Sequence, residues 1–286
     1  MIVITGATGQ LGRLVIEQLL QLGIPADHIV AAVRTPAKAS DLASRGVIVR
    51  EADYNRPDTL RAALAGARRV LLISSSEVGQ RIAQHRAVIE AARAESVEQL
   101  LYTSILHADR SPLFLAQEHR QTEAMILSSG LPYALLRNGW YTENYLMSVP
   151  SALQAGALIG SAGDGLIASA TREDYAAAAA VVLTRPLQDN AVLELAGDTA
   201  YTLNDLVAEV NHQTGAQLQY KNLTQAEFAA ALTAAGLPAG FPAVLADSDI
   251  GAAQGGLFDD SHQLSALIGR PTTSLADALK RSLTQA

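Results

Sequence analysis

Short apolar runs alternate with longer amphipathic stretches through the first half of the chain. The apolar runs are Ile2–Ile4, His28–Val33, Val47–Asp53, Arg69–Ile73, Gln99–Ile105 and Tyr133–Leu136. Such short runs, rich in Val, Ile and Leu, predict strands buried on both faces. Between them, Arg13–Leu22, Pro36–Arg45, Pro57–Ala65, Gln80–Ala94 and Leu115–Ser129 predict helices, with Gly46 and Gly130-Leu-Pro132 as stops. The alternation predicts an α/β fold with a doubly wound parallel sheet.

From Pro150 onward the pattern changes to α+β. Ala157–Gly160 and Leu166–Ala170 predict two short strands joined as a hairpin around Ala162-Gly-Asp-Gly165. Thr171 is the expected N-cap of a helix from Arg172 to Leu183, and its alanines, Ala176–Ala180, imply close packing against the sheet. Val192–Leu195 predicts a further strand. Thr202 precedes an amphipathic helix to His212, and Thr224 with Glu227 has capping-box spacing for another to Ala235. Shorter helices follow, the last over Leu275–Leu283.

The turn after the first strand changes the picture. Gly6, Gly9 and Gly12 form a GxxGxxG link into the helix, the pattern of a phosphate cradle. Glycine lets backbone approach a pyrophosphate, and a side chain at Gly9 is expected to obstruct it. Arg34 ends the second strand, where a Rossmann unit meets the adenosine ribose; a guanidinium there favours a 2′-phosphate, hence NADPH over NADH. Lys38 is read mainly as a solvated helix residue. Asp53 either reaches an adenine edge or caps the next helix. Ligands in such folds lie at the carboxyl ends of the strands, here Ser74, Ser75 and Ser76, with Thr103 and Ser104 placed similarly. Past the sixth strand, Asn138, Gly139, Trp140, Tyr141, Thr142, Glu143 and Asn144 put aromatics beside uncharged amides, which suits a flat, uncharged substrate. Packing of a second lobe is the plainer role for Trp140. The expected division is a Rossmann core of residues 1–137 and 166–198 and a smaller α+β substrate lobe of 138–165 and 199–286.

Composition narrows the chemistry. The 286 residues are 49% hydrophobic and 17% charged, with a formal net charge of −7, which disfavours nucleic acid and other polyanions as partners. The chain has no cysteine, which excludes disulfides, thiolate catalysis and Cys-ligated metals. No apolar run is long enough to span a bilayer and no basic leader precedes Ile2, so a cytoplasmic, unprocessed enzyme is expected. No metal site is expected. The three lysines, Lys38, Lys221 and Lys280, give no YxxxK pair of the kind that shuttles a proton in alcohol and carbonyl dehydrogenases. His119 stands near where that lysine would fall; a surface or cap-satisfying histidine is the commoner role there. His85 and His107 are isolated in sequence. Without a dedicated acid or a GxSxG nucleophile, the remaining chemistry is hydride transfer to an electron-poor acceptor whose oxyanions are delocalised, with water supplying the proton.

The chain resembles the atypical, NmrA-like branch of the short-chain dehydrogenase superfamily, and within it the bacterial NADPH-dependent quinone oxidoreductases. The resemblance rests on the opening GATGQLG, Ala32-Val-Arg34, the run Leu72–Gln80 with its SSSEVGQ, Leu136-Arg-Asn-Gly-Trp-Tyr141, Ala168–Arg172 and Gly256-Leu-Phe-Asp-Asp260. It implies NADPH as cofactor, a quinone as small-molecule partner and direct hydride transfer without flavin. Residue by residue, it places Gly6, Ala7, Thr8, Gly9, Gln10 and Leu11 on the pyrophosphate, Arg34 on the 2′-phosphate and Ser74–Ser76 at the cofactor strand end. Asn138 to Glu143 then line the nicotinamide and the acceptor, and Ser169 approaches the cofactor. Asn138 and Tyr141 are the candidates for orienting or protonating the quinone oxygen. Two alternatives stay open: a reductase of triphenylmethane-like dyes, and an NADP(H)-binding redox sensor of the NmrA type. The oligomeric state, a homo-oligomer included, is not legible.

Overall fold

Branched, apolar residues at Ile2–Thr5 favour a buried strand, and the same holds for the runs at 29–33, 69–72 and 99–105, whereas Ile48–Glu51, at the edge of the sheet, is only half-buried. The computed structural model describes residues 1–186 and 190–285. Its elements begin with β1 (Ile2–Thr5), α1 (Gln10–Gln21), β2 (Ile29–Val33), α2 (Ser40–Ser44, entered through a 3-10 turn at Pro36–Ala39), β3 (Ile48–Glu51) and α3 (Pro57–Leu64). There follow β4 (Arg69–Leu72), α4 (Arg81–Ala94), β5 (Gln99–Ile105), α5 (Ala116–Ser128) and β6 (Tyr133–Asn138). Beyond them lie α6 (Thr142–Leu146), α7 (Val149–Ala155), β7 (Ala157–Gly160), α8 (Arg172–Thr184), β8 (Ala191–Leu195), α9 (Leu203–Thr214) and β9 (Gln219–Asn222). Four helices close the chain: α10 (Gln225–Ala234), α11 (Phe241–Ala253), α12 (Gln263–Ile268) and α13 (Leu275–Gln285).

The fold is a Rossmann-like α/β architecture built on a seven-stranded sheet in the order β3-β2-β1-β4-β5-β6-β8. All pairs from β3 to β6 are parallel. Strand order reverses between β1 and β4, so the crevice of an open α/β sheet falls at the ends of those two strands, beside Gly6 and Ser74. β2 and β5 are buried throughout, and Val3, Val30, Leu72, Leu100 and Tyr102 belong to one core cluster. Ala176–Ala180 are buried, and α8 packs chiefly on α1 as well as on β4 and β6. Methyl side chains let those helix backbones approach closely.

The chain separates into two compact units. Residues 1–105, 118–138 and 172–193 form the first, and 106–117, 139–171 and 194–286 the second.

The expected hairpin does not form. β7 pairs in parallel with β9, from Ala157 against Gln219 to Gly160 against Asn222. Residues 166–170 make only isolated bridges, Ile167 with Tyr201 and Ala170 with Tyr141. Two contacts explain the divergence. Gly163 N–H donates to Asn222 Oδ1 (2.9 Å), tying the link to the end of β9. Gly165 lies so close to α11 that a Cβ there would sit 2.5 Å from the Ala252 carbonyl oxygen, which draws the chain away from β7. The capping box expected at Thr224 and Glu227 forms, and the helix expected after Thr202 is closed by a second box, Thr202 with Asp205.

Candidate active site

The glycine turn is shaped by its own backbone. Gly6 has φ +60°, and its carbonyl accepts from Gly9 N–H at 2.9 Å. The first helical bond of α1 runs from Arg13 N–H to Gly9 O (3.0 Å), and no side chain caps this terminus. The amides of Gln10, Leu11 and Gly12 therefore precede the helical ladder at its positive end. Of the three glycines, Gly12 tolerates a side chain least: a Cβ would lie 2.6 Å from Gly6 O and 2.7 Å from Ala7 Cα, against a single 3.2 Å approach at Gly9. Gly12 sets helix-to-strand distance, while exposed Gly6 and Gly9 leave the outer surface of the turn bare.

Thr5 and Tyr54 join this turn to the end of β4. Thr5 Oγ1 donates to Leu71 O (3.1 Å) and accepts from Ile73 N–H (3.1 Å), while the Tyr54 hydroxyl lies 2.6 Å from Thr5 Oγ1. Burial pushes the Tyr54 phenol well above its usual range. Arg13 braces the other side through its Nε to Thr8 O (3.3 Å), Nη2 to Lys38 O (2.8 Å) and an ion pair with Asp41. Both roles depend chiefly on partners remote in sequence, Leu71 and Ile73 for Thr5 and Lys38 and Asp41 for Arg13.

Arg34 stands exposed past β2 with its Nη1 on Glu77 Oε1 at 2.9 Å. Glu77 belongs to the serine run, and Gln84 Nε2 donates to its other oxygen (2.9 Å). The run itself is held at each step. Ser74 N–H donates to Thr103 Oγ1 (2.8 Å), Ser75 N–H to His85 Nε2 (2.9 Å), and Arg81 Nε to Ser75 O (2.5 Å). His85 is thus no isolated histidine. Thr122 uses its hydroxyl hydrogen on Glu118 O, so His85 Nδ1–H donates to Thr122 Oγ1 (2.9 Å) and Nε2 is left as acceptor for Ser75. Burial first, and Arg81 second, push that imidazole down to about 3. Asp53 does not cap α3; its Oδ1 accepts from Asn55 N–H (2.9 Å), a local turn that costs no helix contact.

His119 departs from its expected place on the surface or at a cap. It is buried, with Nδ1 2.7 Å from Tyr102 Oη and Nε2 3.5 Å from Arg81 Nη1. Burial, reinforced by Arg81 and His85, holds the ring neutral, its pKa well below the ordinary value. A neutral, enclosed ring pairs with the tyrosine. Ser104 likewise donates to Glu123 Oε1 (2.6 Å), which receives Arg137 Nε (2.9 Å) as well.

Asn138, like Gln84 and Glu118, holds a buried side-chain oxygen without a hydrogen-bond partner, and of the three it alone ends a strand of the sheet. It ends β6 in register with Ile105, is 5% exposed, and its Oδ1 is buried with no hydrogen-bond partner. An orphaned buried acceptor costs about 1–3 kcal/mol unless something else donates to it.

In the second unit, residues 139–142 run beside 168–170: Ala170 N–H donates to Trp140 O (3.1 Å) and Thr142 N–H to Ala170 O (3.0 Å). The hydroxyls of Thr142 and Ser169 meet at 2.8 Å, and Ser169 Oγ lies 2.7 Å from Tyr201 Oη. Tyr201, unmarked by the sequence pattern, completes the chain, and burial pushes its phenol up to about 12. Gly139, Trp140 and Tyr141 are half-buried, and Glu143 stands in the first turn of α6. No group of side chains among the described residues is arranged to hold a metal ion, and no helix among them is long and apolar enough to cross a membrane.

A family model described as NAD(P)H-binding matches residues 6–186. The chain belongs to this NAD(P)H-binding family. Among individual relatives it is 60% identical over 279 residues to quinone oxidoreductase 2 of Escherichia coli (strain K12), covering 98% of this chain and 97% of that one. A crystal structure of the E. coli NADPH-dependent quinone oxidoreductase complexed with NADPH superposes with a TM-score of 0.96 at 59% identity, over 99% of this chain and all of that one. The Citrobacter triphenylmethane reductase complexed with NADP(H) superposes at 0.95 with 35% identity, over 99% and 100%. The family's dinucleotide fits what the residues offer, an uncapped helix terminus behind a bare glycine turn and a buried amide oxygen in want of a donor.

Proposed function

We propose that this chain is an NADPH-dependent reductase that transfers hydride directly to a quinone, without flavin. The observation that carries the assignment of the reacting end is the unpaired, buried Oδ1 of Asn138 at the carboxyl edge of the sheet. Near-complete identity of length and 60% identity of sequence with a quinone oxidoreductase support the substrate class.

The reduced nicotinamide, when bound, supplies the hydride. The turn from Gly6 to Leu11 receives the pyrophosphate through backbone amides, and Arg34 receives the 2′-phosphate through its guanidinium fork. Ser74, Ser75 and Ser76 present short polar groups, and Thr103, His85 and Arg81 pin the backbone of the first two, so they hold position without reordering. Asn138 supplies the acceptor that fixes a carboxamide or hydroxyl donor. Gly139, Trp140, Tyr141, Thr142 and Glu143 line the acceptor, with Ser169 held beside them by Thr142 and Tyr201. Tyr141 orients one of the two quinone oxygens. No lysine–tyrosine pair is needed, because a reduced quinone spreads its charge over two oxygens and water supplies the proton. The first unit serves as dinucleotide core and the second as substrate lobe, and the cysteine-free chain fits a cytoplasmic setting.

Mixing purified protein with NADPH and benzoquinone and following the nicotinamide absorbance tests this directly. A rate no greater than that of the protein-free mixture rejects it. The 0.95 superposition on a triphenylmethane reductase favours a dye as the second substrate class, and crystal violet in place of benzoquinone separates the two.

A further inference from the structure

Within the second unit, the loop 107–112 and the turn 254–260 face each other across a cavity of about 460 Å³, a size common for small-molecule sites. His107, 9% exposed, lines it from a left-handed backbone conformation, φ 51°, that is uncommon outside glycine. That conformation is held from several sides. His107 N–H donates to Glu194 Oε2 (2.8 Å), and ring Nε2 lies 3.3 Å from both Asp259 Oδ2 and Phe258 O. In return the His107 carbonyl accepts from the N–H groups of Arg110 (2.8 Å) and Ser111 (2.7 Å).

The strained histidine places its Nδ1 under Arg110, whose Nη2 donates to it at 3.2 Å. An imidazole, not a carboxylate, therefore steadies this guanidinium, and no ion pair among the described residues occupies its other N–H groups. The GLFDD segment forms the facing wall. A Cβ on Gly256 would lie 2.6 Å from Leu113 Cδ1 and 2.8 Å from Pro112 Cδ, so only glycine lets the walls close on each other there. Phe258 adds an aromatic surface, while Asp259 and Asp260 outnumber Arg110 in charge. An anionic ligand is repelled by that balance. A flat, neutral carbonyl compound is not: it offers a ring to Phe258 and an acceptor to Arg110.

We propose that this cavity binds the uncharged quinone ring, with Arg110 donating to one carbonyl oxygen and His107 positioning Arg110; the substrate class rests on quinone reduction being the activity. The test is equilibrium binding of menadione and of a naphthoquinone sulfonate to wild-type protein, Arg110→Ala, Arg110→Lys and Asp260→Asn, with NADPH affinity and menadione KM measured on the same samples. Arg110→Ala is expected to weaken menadione about tenfold or more and raise its KM in step, with NADPH affinity unchanged. Arg110→Lys recovers part of the loss, and Asp260→Asn improves the sulfonate selectively. Unchanged menadione affinity in Arg110→Ala, a wild type that prefers the sulfonate, or one that binds no menadione overturns the proposal. Menadione bound through Arg110 without consumption of NADPH would instead defeat the reductase reading and leave the cavity assignment standing.

Discussion

Replacing Arg34 by alanine separates the cofactor assignment from any effect on folding. The Arg34 side chain is 67% exposed and that of its partner Glu77 43%, so their 2.9 Å ion pair is screened by water and contributes only about 0–1 kcal/mol to stability. Gln84 keeps hold of Glu77 when the arginine is gone, and the serine run retains its ties to Thr103, His85 and Arg81. A charged hydrogen bond to a phosphate is worth about 1.5–3 kcal/mol. The variant should therefore bind NADPH roughly 10- to 150-fold more weakly, while NADH, lacking the 2′-phosphate, changes little. Arg34→Lys should fall between, since it keeps the charge but loses the planar fork. Dissociation constants and kcat/KM for both cofactors, with the melting temperature as a control, measure all of this. Raising the salt concentration should erode the wild-type preference toward that of the variant. Equal losses for NADPH and NADH, or a collapse in melting temperature, would refute the argument. Glu77→Gln removes the carboxylate that competes with a phosphate for Arg34, and should tighten NADPH without helping NADH.

Gly12→Ala should cost more than Gly9→Ala in both thermal stability and dinucleotide affinity, by on the order of 2 kcal/mol, because its Cβ meets backbone at 2.6 Å where the other meets one oxygen at 3.2 Å; paired melting curves and titrations decide it, and the reverse order would show the turn is differently shaped. Burial raises the Asp249 carboxyl to about 6 from 3.8, so the folded protein keeps a proton that the unfolded chain has released. Stability from this group is complete below about pH 4 and falls by on the order of 3 kcal/mol as pH rises through 6. Asp249→Asn, which mimics the protonated form, should match wild type in urea unfolding at acid pH and exceed it at pH 8; a variant no more stable than wild type at pH 8 contradicts the shift. His119→Ala removes a buried ring and its 2.7 Å bond to the Tyr102 hydroxyl and should lower unfolding free energy by about 2–4 kcal/mol. The same variant should leave the shape of the pH–rate profile intact, since the ring is already neutral; loss of a limb would restore His119 as a proton donor.

Local chemistry alone decided the alternation of strands and helices, the glycine turn, the Thr224 capping box and the position of Arg34 at a strand end. Each of those depends on residues within a turn or two of one another, where period, branching and capping act directly. The hairpin failed for the opposite reason: Ala157–Gly160 and Leu166–Ala170 carry strand character, but their partners are Gln219–Asn222 and Tyr201, brought by contacts that span many residues. The same limit applies to the site. The sequence named Asn138, yet only packing shows that its oxygen is buried and unpaired. It named His119, yet Tyr102 and Arg81 enclose it, and it passed over His85 and His107, which hold Ser75 and Arg110 in place. Periodicity records which face of an element is dry. Which polar group meets which across that dry interior is a property of the assembled chain, because burial makes the pairing matter and only folding supplies the partner.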